Sequence, residues 1–139
     1  MIVAVSDKSF LLDTSALLTL IEDEAGATRV EQILREESVI ITWMSLLEVY
    51  YITQQERGQK EAERRHALLK SLPVTFLWQI DEPMLLTAAR LKASHRLSLA
   101  DTIIAACAIR QQAILLHKDP EYAVLSGQLE LEALPYKNR

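Results

Sequence analysis

The chain has one cysteine, three glycines and three histidines in 139 residues. The single Cys107 lies in the apolar run Thr102-Ile103-Ile104-Ala105-Ala106-Cys107-Ala108, which excludes a disulfide framework and reads as a buried thiol in a reducing cytosol. One cysteine and scattered histidines also leave no ligand spacing suited to zinc. Few glycines, with half of the residues hydrophobic, argue for a sizeable core and for one domain over residues 1–139. No stretch approaches the roughly 20 apolar residues of a membrane span. The start, Met1-Ile2-Val3-Ala4-Val5-Ser6-Asp7-Lys8, lacks the basic and long apolar regions of a secretory leader. The expectation is a soluble, cytoplasmic protein without a membrane partner. Positive charge is not in excess either: the net charge of -4 weighs against a protein that coats nucleic acid through bulk electrostatics. Local binding stays open, because acids committed to bound cations leave the remaining surface closer to neutral.

What the chain does have is a regular alternation of short apolar runs and amphipathic segments. Ser9, Phe10, Leu11 and Leu12 read as a short buried strand, followed by a helix over residues 14–24 with Leu17, Leu18, Leu20 and Ile21 at helical spacing. After Gly26 a second helix is expected over 27–37, then a strand over 39–42. In the helix predicted over 45–57, Leu46, Leu47, Val49, Tyr50, Tyr51 and Ile52 cover most of the circumference, which suggests burial against several neighbours, a dimer partner among them. Beyond Gly58 a charged helix runs to about residue 72 and stops at Pro73. A strand over 74–78, helices over 82–95 and 98–110, a strand over 113–116 and an edge strand within 129–134 complete the series. This alternation predicts an α/β fold, a three-layer α/β/α sandwich around a central parallel sheet whose C-terminal strand edge gathers functional groups.

Four carboxylates, Asp13, Glu48, Asp101 and Asp119, stand where strands end or helices begin. Asp13 closes an apolar strand and Asp101 opens an apolar helix, company in which charge needs compensation. Each acid has an ordinary explanation. Asp13 would cap the helix it precedes. Glu48 after Ser45 and Asp101 after Ser98 would each be the acidic half of a capping box, and Asp119 before Pro120 would begin a turn. All four explanations nevertheless place the acids along one sheet edge. Carboxylates converging within about 4 to 6 Å repel unless a cation sits among them, and hard oxygen ligands call for Mg²⁺ or Mn²⁺.

In chain order, Phe10-Leu11-Leu12-Asp13-Thr14-Ser15-Ala16-Leu17-Leu18, Ser45-Leu46-Leu47-Glu48-Val49, Leu97-Ser98-Leu99-Ala100-Asp101-Thr102-Ile103-Ile104-Ala105 and Leu115-Leu116-His117-Lys118-Asp119-Pro120-Glu121 resemble the motifs of the PIN-domain family. They are particularly similar to those of VapC-type toxins, ribonucleases of prokaryotic toxin–antitoxin pairs. The resemblance implies that Asp13, Glu48, Asp101 and Asp119 hold one or two Mg²⁺ or Mn²⁺ ions, with the Ser15 hydroxyl supporting Asp13. It implies a metal-dependent endoribonuclease that hydrolyses RNA phosphodiester bonds by metal-activated water, a small cognate antitoxin, and a homodimer. The chain departs from the family at His117, where many relatives carry Thr or Ser; this leaves the support of Asp119 open, with Glu121 as a nearby alternative acid. Arg96 and Lys118, each within five residues of a carboxylate, are the candidate RNA contacts. Lys92 is a further cation near the site, and Arg57, Lys60, Arg64, Arg65 and Lys70 lie on the charged helix. There Glu56, Glu61 and Glu63 make a solvated, self-paired face the ordinary reading, with Glu61 four before Arg65. Trp43 is expected to be packed, and His66, His95 and His117 to be surface or structural residues rather than ligands.

A haloacid-dehalogenase-like phosphatase needs a second aspartate where this chain has Ser15. A receiver domain needs paired acids after its first strand, whereas the acids here are dispersed. Two readings stay open beside the toxin: a PIN-fold module that no longer cleaves, and a housekeeping RNA-processing nuclease.

Overall fold

In the computed structural model, which describes residues 8–137, the elements follow the expected alternation. They are β1 (Ser9–Leu12), α1 (Thr14–Ile21), α2 (Ala27–Glu36), β2 (Ser38–Thr42), α3 (Trp43–Arg57), α4 (Gln59–Lys70), β3 (Thr75–Leu77), α5 (Glu82–Ser94), α6 (Leu99–Gln111), β4 (Ile114–His117), a 3-10 turn (Pro120–Leu125) and β5 (Leu131–Ala133). The expectation about a leader concerned residues of which 1–7 lie outside those described.

The strands form one five-stranded sheet in the order β3-β2-β1-β4-β5, and every pairing is parallel. Side-chain alternation along the inner strands creates the layers. Phe10, Leu12, Val39, Ile41, Ile114 and Leu116 face a core built with α1 to α4, whereas Leu11, Ile40 and Leu115 face one built with α5 and α6. Both faces are covered, which is why these strands read as continuous apolar runs. The result is the expected three-layer α/β/α sandwich. From β3 at one edge the chain crosses by α5 and α6 to β4, on the far side of β1. Strand order therefore reverses at β1, and a crevice opens beyond the carboxyl ends of β1 and β4.

Three local features depart from the sequence expectation. First, α1 ends at Ile21, short of residue 24: Asp23 adopts a φ of +50° and Gly26 one of +104°, turning the chain into α2. A Cβ on Gly26 would also meet Pro135 at 3.1 Å and Leu134 at 3.2 Å, so this glycine lets the C-terminal segment pack. Second, α3 begins at Trp43, because the extended Thr42 at the end of β2 caps it by accepting from the Ser45 backbone N–H at 3.2 Å. Third, Arg65 is no surface residue. It is 4 % exposed and reaches Glu61 (3.0 Å) on its own helix and Glu22 (3.1 Å) beyond α1. Arg29 makes a bidentate pair with Glu132 at 2.8 and 2.9 Å and ties α2 to the edge strand β5. Cys107 is a buried free thiol whose pKa burial pushes up to about 11. Among the described residues, no helix is long and apolar enough to cross a membrane.

Candidate active site

The crevice at β1 and β4 receives acids from three directions. Asp13 follows β1 in extended conformation and caps α1: its Oδ2 accepts from the Ser15 backbone N–H (3.1 Å) and from the Ser15 hydroxyl (2.5 Å). Ser15 Oγ in turn accepts from the Lys118 backbone N–H at 2.9 Å, joining the start of α1 to the loop after β4. Ser15 thus binds one oxygen of Asp13 through both its backbone and its side chain. Ser98 caps α6 by accepting from the Asp101 N–H at 3.1 Å, which sets Asp101 in the first helical turn. Asp119 caps the 3-10 turn, accepting from the Glu121 N–H at 2.9 Å.

Glu48 is corrected in its local role. With Thr42 as the cap, Ser45 and Glu48 form no capping box, and Glu48 instead accepts from the Thr14 hydroxyl at 2.7 Å. Thr14 sits directly after Asp13, so Glu48 is drawn toward the same corner through a neighbouring side chain.

Tyr122 makes the central link. Its hydroxyl, fully buried, lies 2.7 Å from Asp13 Oδ1 and 3.0 Å from Asp101 Oδ1. On the outer side, carboxylate oxygens of Asp101, Asp119 and Glu121 all lie within 4.8 Å of one another. Asp101 therefore belongs to two groupings, one buried with Asp13 and one more open with Asp119 and Glu121. Sequence reasoning missed Tyr122 and Thr14. The available signal for Tyr122 was a large aromatic with a polar tip three residues after Asp119, a type that finds a hydrogen-bond partner when buried.

Electrostatics follow from this crowding. Burial and the charge of Asp13 push the Asp101 carboxyl up to about 6, against the opposing effect of the Tyr122 hydrogen bond. Glu48 is raised chiefly by burial, with the Thr14 hydrogen bond working the other way and the charge of Asp13 adding to the rise. Burial and both aspartates raise Tyr122 far above its usual range, so it stays a hydroxyl. Burial lowers His117, which keeps the imidazole neutral, and its Nδ1 accepts from the Asp119 N–H at 3.1 Å. The imidazole supplies the acceptor at the position where the family resemblance expected a Thr or Ser hydroxyl. Two carboxylates sharing a single hydroxyl proton, with a third and fourth acid at the rim, are short of positive charge. An all-oxygen donor set of this kind fits a hard divalent cation.

The PIN domain family model matches residues 10–127. The chain belongs to the PIN domain family. PIN domains are generally nucleases and use divalent metal ions. By sequence, no curated protein matches this PIN domain. Solved structures do match its fold. VapBC2 from Rickettsia felis, bound to a DNA fragment from its promoter, superposes with a TM-score of 0.76 at 15 % identity, over 91 % of this chain and 99 % of that one. VapBC-1 from nontypeable Haemophilus influenzae gives 0.69 at 19 % identity, over 90 % and 97 %. VapC20 of Mycobacterium tuberculosis, described as a sarcin-ricin loop cleaving toxin, gives 0.69 at 16 % identity, over 87 % and 97 %.

Around the acids of this PIN domain, most of the expected cations have internal work. Arg64 and Arg65 both bind Glu61, holding its carboxyl down at about 2. Lys70 lies 4.5 Å over the Phe76 ring and 4.6 Å over Trp78. Lys92 donates to the Leu97 carbonyl at 2.7 Å. The Lys118 side chain is 5 % exposed and its ammonium faces Glu24 at 3.6 Å, not solvent. Arg96 is exposed in the short connection before α6. Trp43 is half-buried, as expected for a packed residue.

Proposed function

We propose that this PIN domain is a metal-dependent endoribonuclease and the toxin of a type II toxin–antitoxin pair, acting in the cytoplasm as one domain over residues 1–139. The observation that carries the reading is the position of Asp101, joined to Asp13 through Tyr122 and to Asp119 and Glu121 across less than 4.8 Å. Asp13, Asp101 and Asp119 would hold one or two Mg²⁺ or Mn²⁺ ions, with Glu48 and Glu121 supplying further oxygens. When bound, the ion supplies Lewis-acid activation of water and charge compensation at an RNA phosphodiester.

The chain's own residues prepare that site. Ser15 fixes the rotamer of Asp13, Thr14 orients Glu48, and His117 holds the backbone that carries Asp119. Arg96, exposed in the connection before α6, would be the cation that meets an RNA phosphate, and Lys118 would reach one only by leaving Glu24. Structural relatives include a toxin–antitoxin complex from Klebsiella pneumoniae, which supports a small antitoxin as partner. Two apolar depressions are available for partners, on opposite sides of the sheet. One, about 780 Å³, is lined by Leu20, Ile21, Leu34, Leu68 and Leu72; the other, about 650 Å³, by Trp43, Ile80, Leu85, Leu99 and Ile103. An antitoxin or a second copy of the chain would find apolar surface there.

The test is expression with and without the small open reading frame beside the gene. The expected outcome is growth arrest by the chain alone, rescue by the neighbouring product, and harmless expression of Asp101→Asn. Harmless wild type with no co-purifying partner would overturn the toxin reading.

A further inference from the structure

The 3-10 turn after β4 carries Asp119 and Tyr122 as one rigid unit. Asp119 caps it through its side chain, Pro120 sets its first backbone angle, and the Tyr122 N–H donates to the Asp119 carbonyl at 3.2 Å. The turn drives the Tyr122 ring inward until none of it is exposed. There the ring meets His117 edge-on at 5.1 Å, and it packs in the core beneath α5 and α6. His117 is itself fixed by the Asp119 N–H, so ring, imidazole and turn brace one another.

The Tyr122 hydroxyl ends this braced unit between two carboxylates from different layers of the fold. Asp13 Oδ1 comes from the end of β1 and Asp101 Oδ1 from the first turn of α6. Asp13 is thus held from both sides, Oδ2 by Ser15 and Oδ1 by Tyr122, while Asp101 is held through Oδ1. Like charges drawn onto one hydroxyl would otherwise separate, and the Ser98 cap fixes only the backbone of Asp101, which leaves its carboxylate to the Tyr122 hydroxyl.

We infer that Tyr122 is a positioning residue that pins Asp13 and Asp101 in register as a preformed cation site, with His117 as its brace. The inference rests on the metal-dependent reading above and adds to it a residue from outside the acidic set. Partners that orient metal-binding side chains commonly contribute 10- to 100-fold in metal affinity.

Mn²⁺ alone, titrated into the full-length protein and followed by electron paramagnetic resonance, tests this apart from catalysis. Tyr122→Phe keeps the ring and its contact with His117 while removing the hydroxyl. The expected result is at least tenfold weaker Mn²⁺ binding with an unchanged circular dichroism spectrum, and affinity within twofold of wild type would overturn the inference. A measurement on wild type covers the case in which the variant does not fold: with ring-labelled tyrosine, Mg²⁺ should shift the Cζ resonance of Tyr122, and no tyrosine shift on saturation would overturn it equally. Wild type that binds no Mn²⁺ at millimolar concentration would instead overturn the metal reading itself, and this inference with it.

Discussion

Asp101→Asn should make the metal-free protein more stable at neutral pH. Burial and the nearby Asp13 raise the Asp101 carboxyl from its ordinary 3.8 to about 6 in the folded chain. The folded state therefore holds this proton more tightly than the unfolded one, and stability declines as pH rises from about 4 through about 6. At 1.36 kcal/mol per pH unit the full cost of ionising Asp101 is ~3 kcal/mol. Asp101 is only partly buried, so solvent screening brings this to about 1–2 kcal/mol. Asparagine has the same shape and no charge to ionise. In EDTA at pH 7 the variant should exceed wild type by that amount, a rise of a few degrees in Tm for a chain of this length, and the two should converge near pH 4. Adding Mg²⁺ should reverse the ranking, because only the ionised wild type gains from the cation. Thermal and urea unfolding from pH 4 to 8, with and without Mg²⁺, measures each part. A stability difference between Asp101→Asn and wild type that stays flat across that window in EDTA would refute the account of Asp101.

Two further outcomes concern the scaffold. Arg65→Ala should destabilise the protein by roughly 2 kcal/mol in urea unfolding, since it empties a buried site and leaves Glu22 without its cation and Glu61 with Arg64 alone, although both acids can rehydrate. Gly26→Ala should cost about 1–2 kcal/mol, because a side chain is strained at a φ of +104° and its Cβ presses on Leu134 and Pro135; an unchanged Tm would show that the C-terminal segment yields without loss.

The layered fold was legible because each inner strand is buried on both faces. Phe10-Leu11-Leu12 and Ile114-Leu115-Leu116 announce that as unbroken apolar runs, and acids at their ends stand out against such company. Local spacing misled where two partners compete for one role. Ser45 and Glu48 have the spacing of a capping box, but Thr42, three residues earlier and already extended, takes the cap and releases Glu48 to Thr14. Glu61 and Arg65 fit an exposed helical pair equally well whether or not the arginine is buried, and only the packing of α4 against α3 decides it. Tyr122 was missed because its partners are 109 and 21 residues away: a polar-tipped ring after Asp119 points to some buried partner, but not to two distant carboxylates. Lys118 shows a related limit: its backbone N–H serves Ser15 while its side chain turns to Glu24, and residue type alone does not say which half matters.

Cleavage of RNA by purified, partner-free protein, with Mg²⁺ or Mn²⁺ titrated back after EDTA treatment, tests the central claim most directly. Wild type should cleave only with the metal present, and Asp13→Asn should be inactive at every metal concentration while keeping its circular dichroism spectrum. Cleavage that persists in EDTA, or full activity in Asp13→Asn, would contradict the assignment of this acidic crevice as a metal-dependent ribonuclease site.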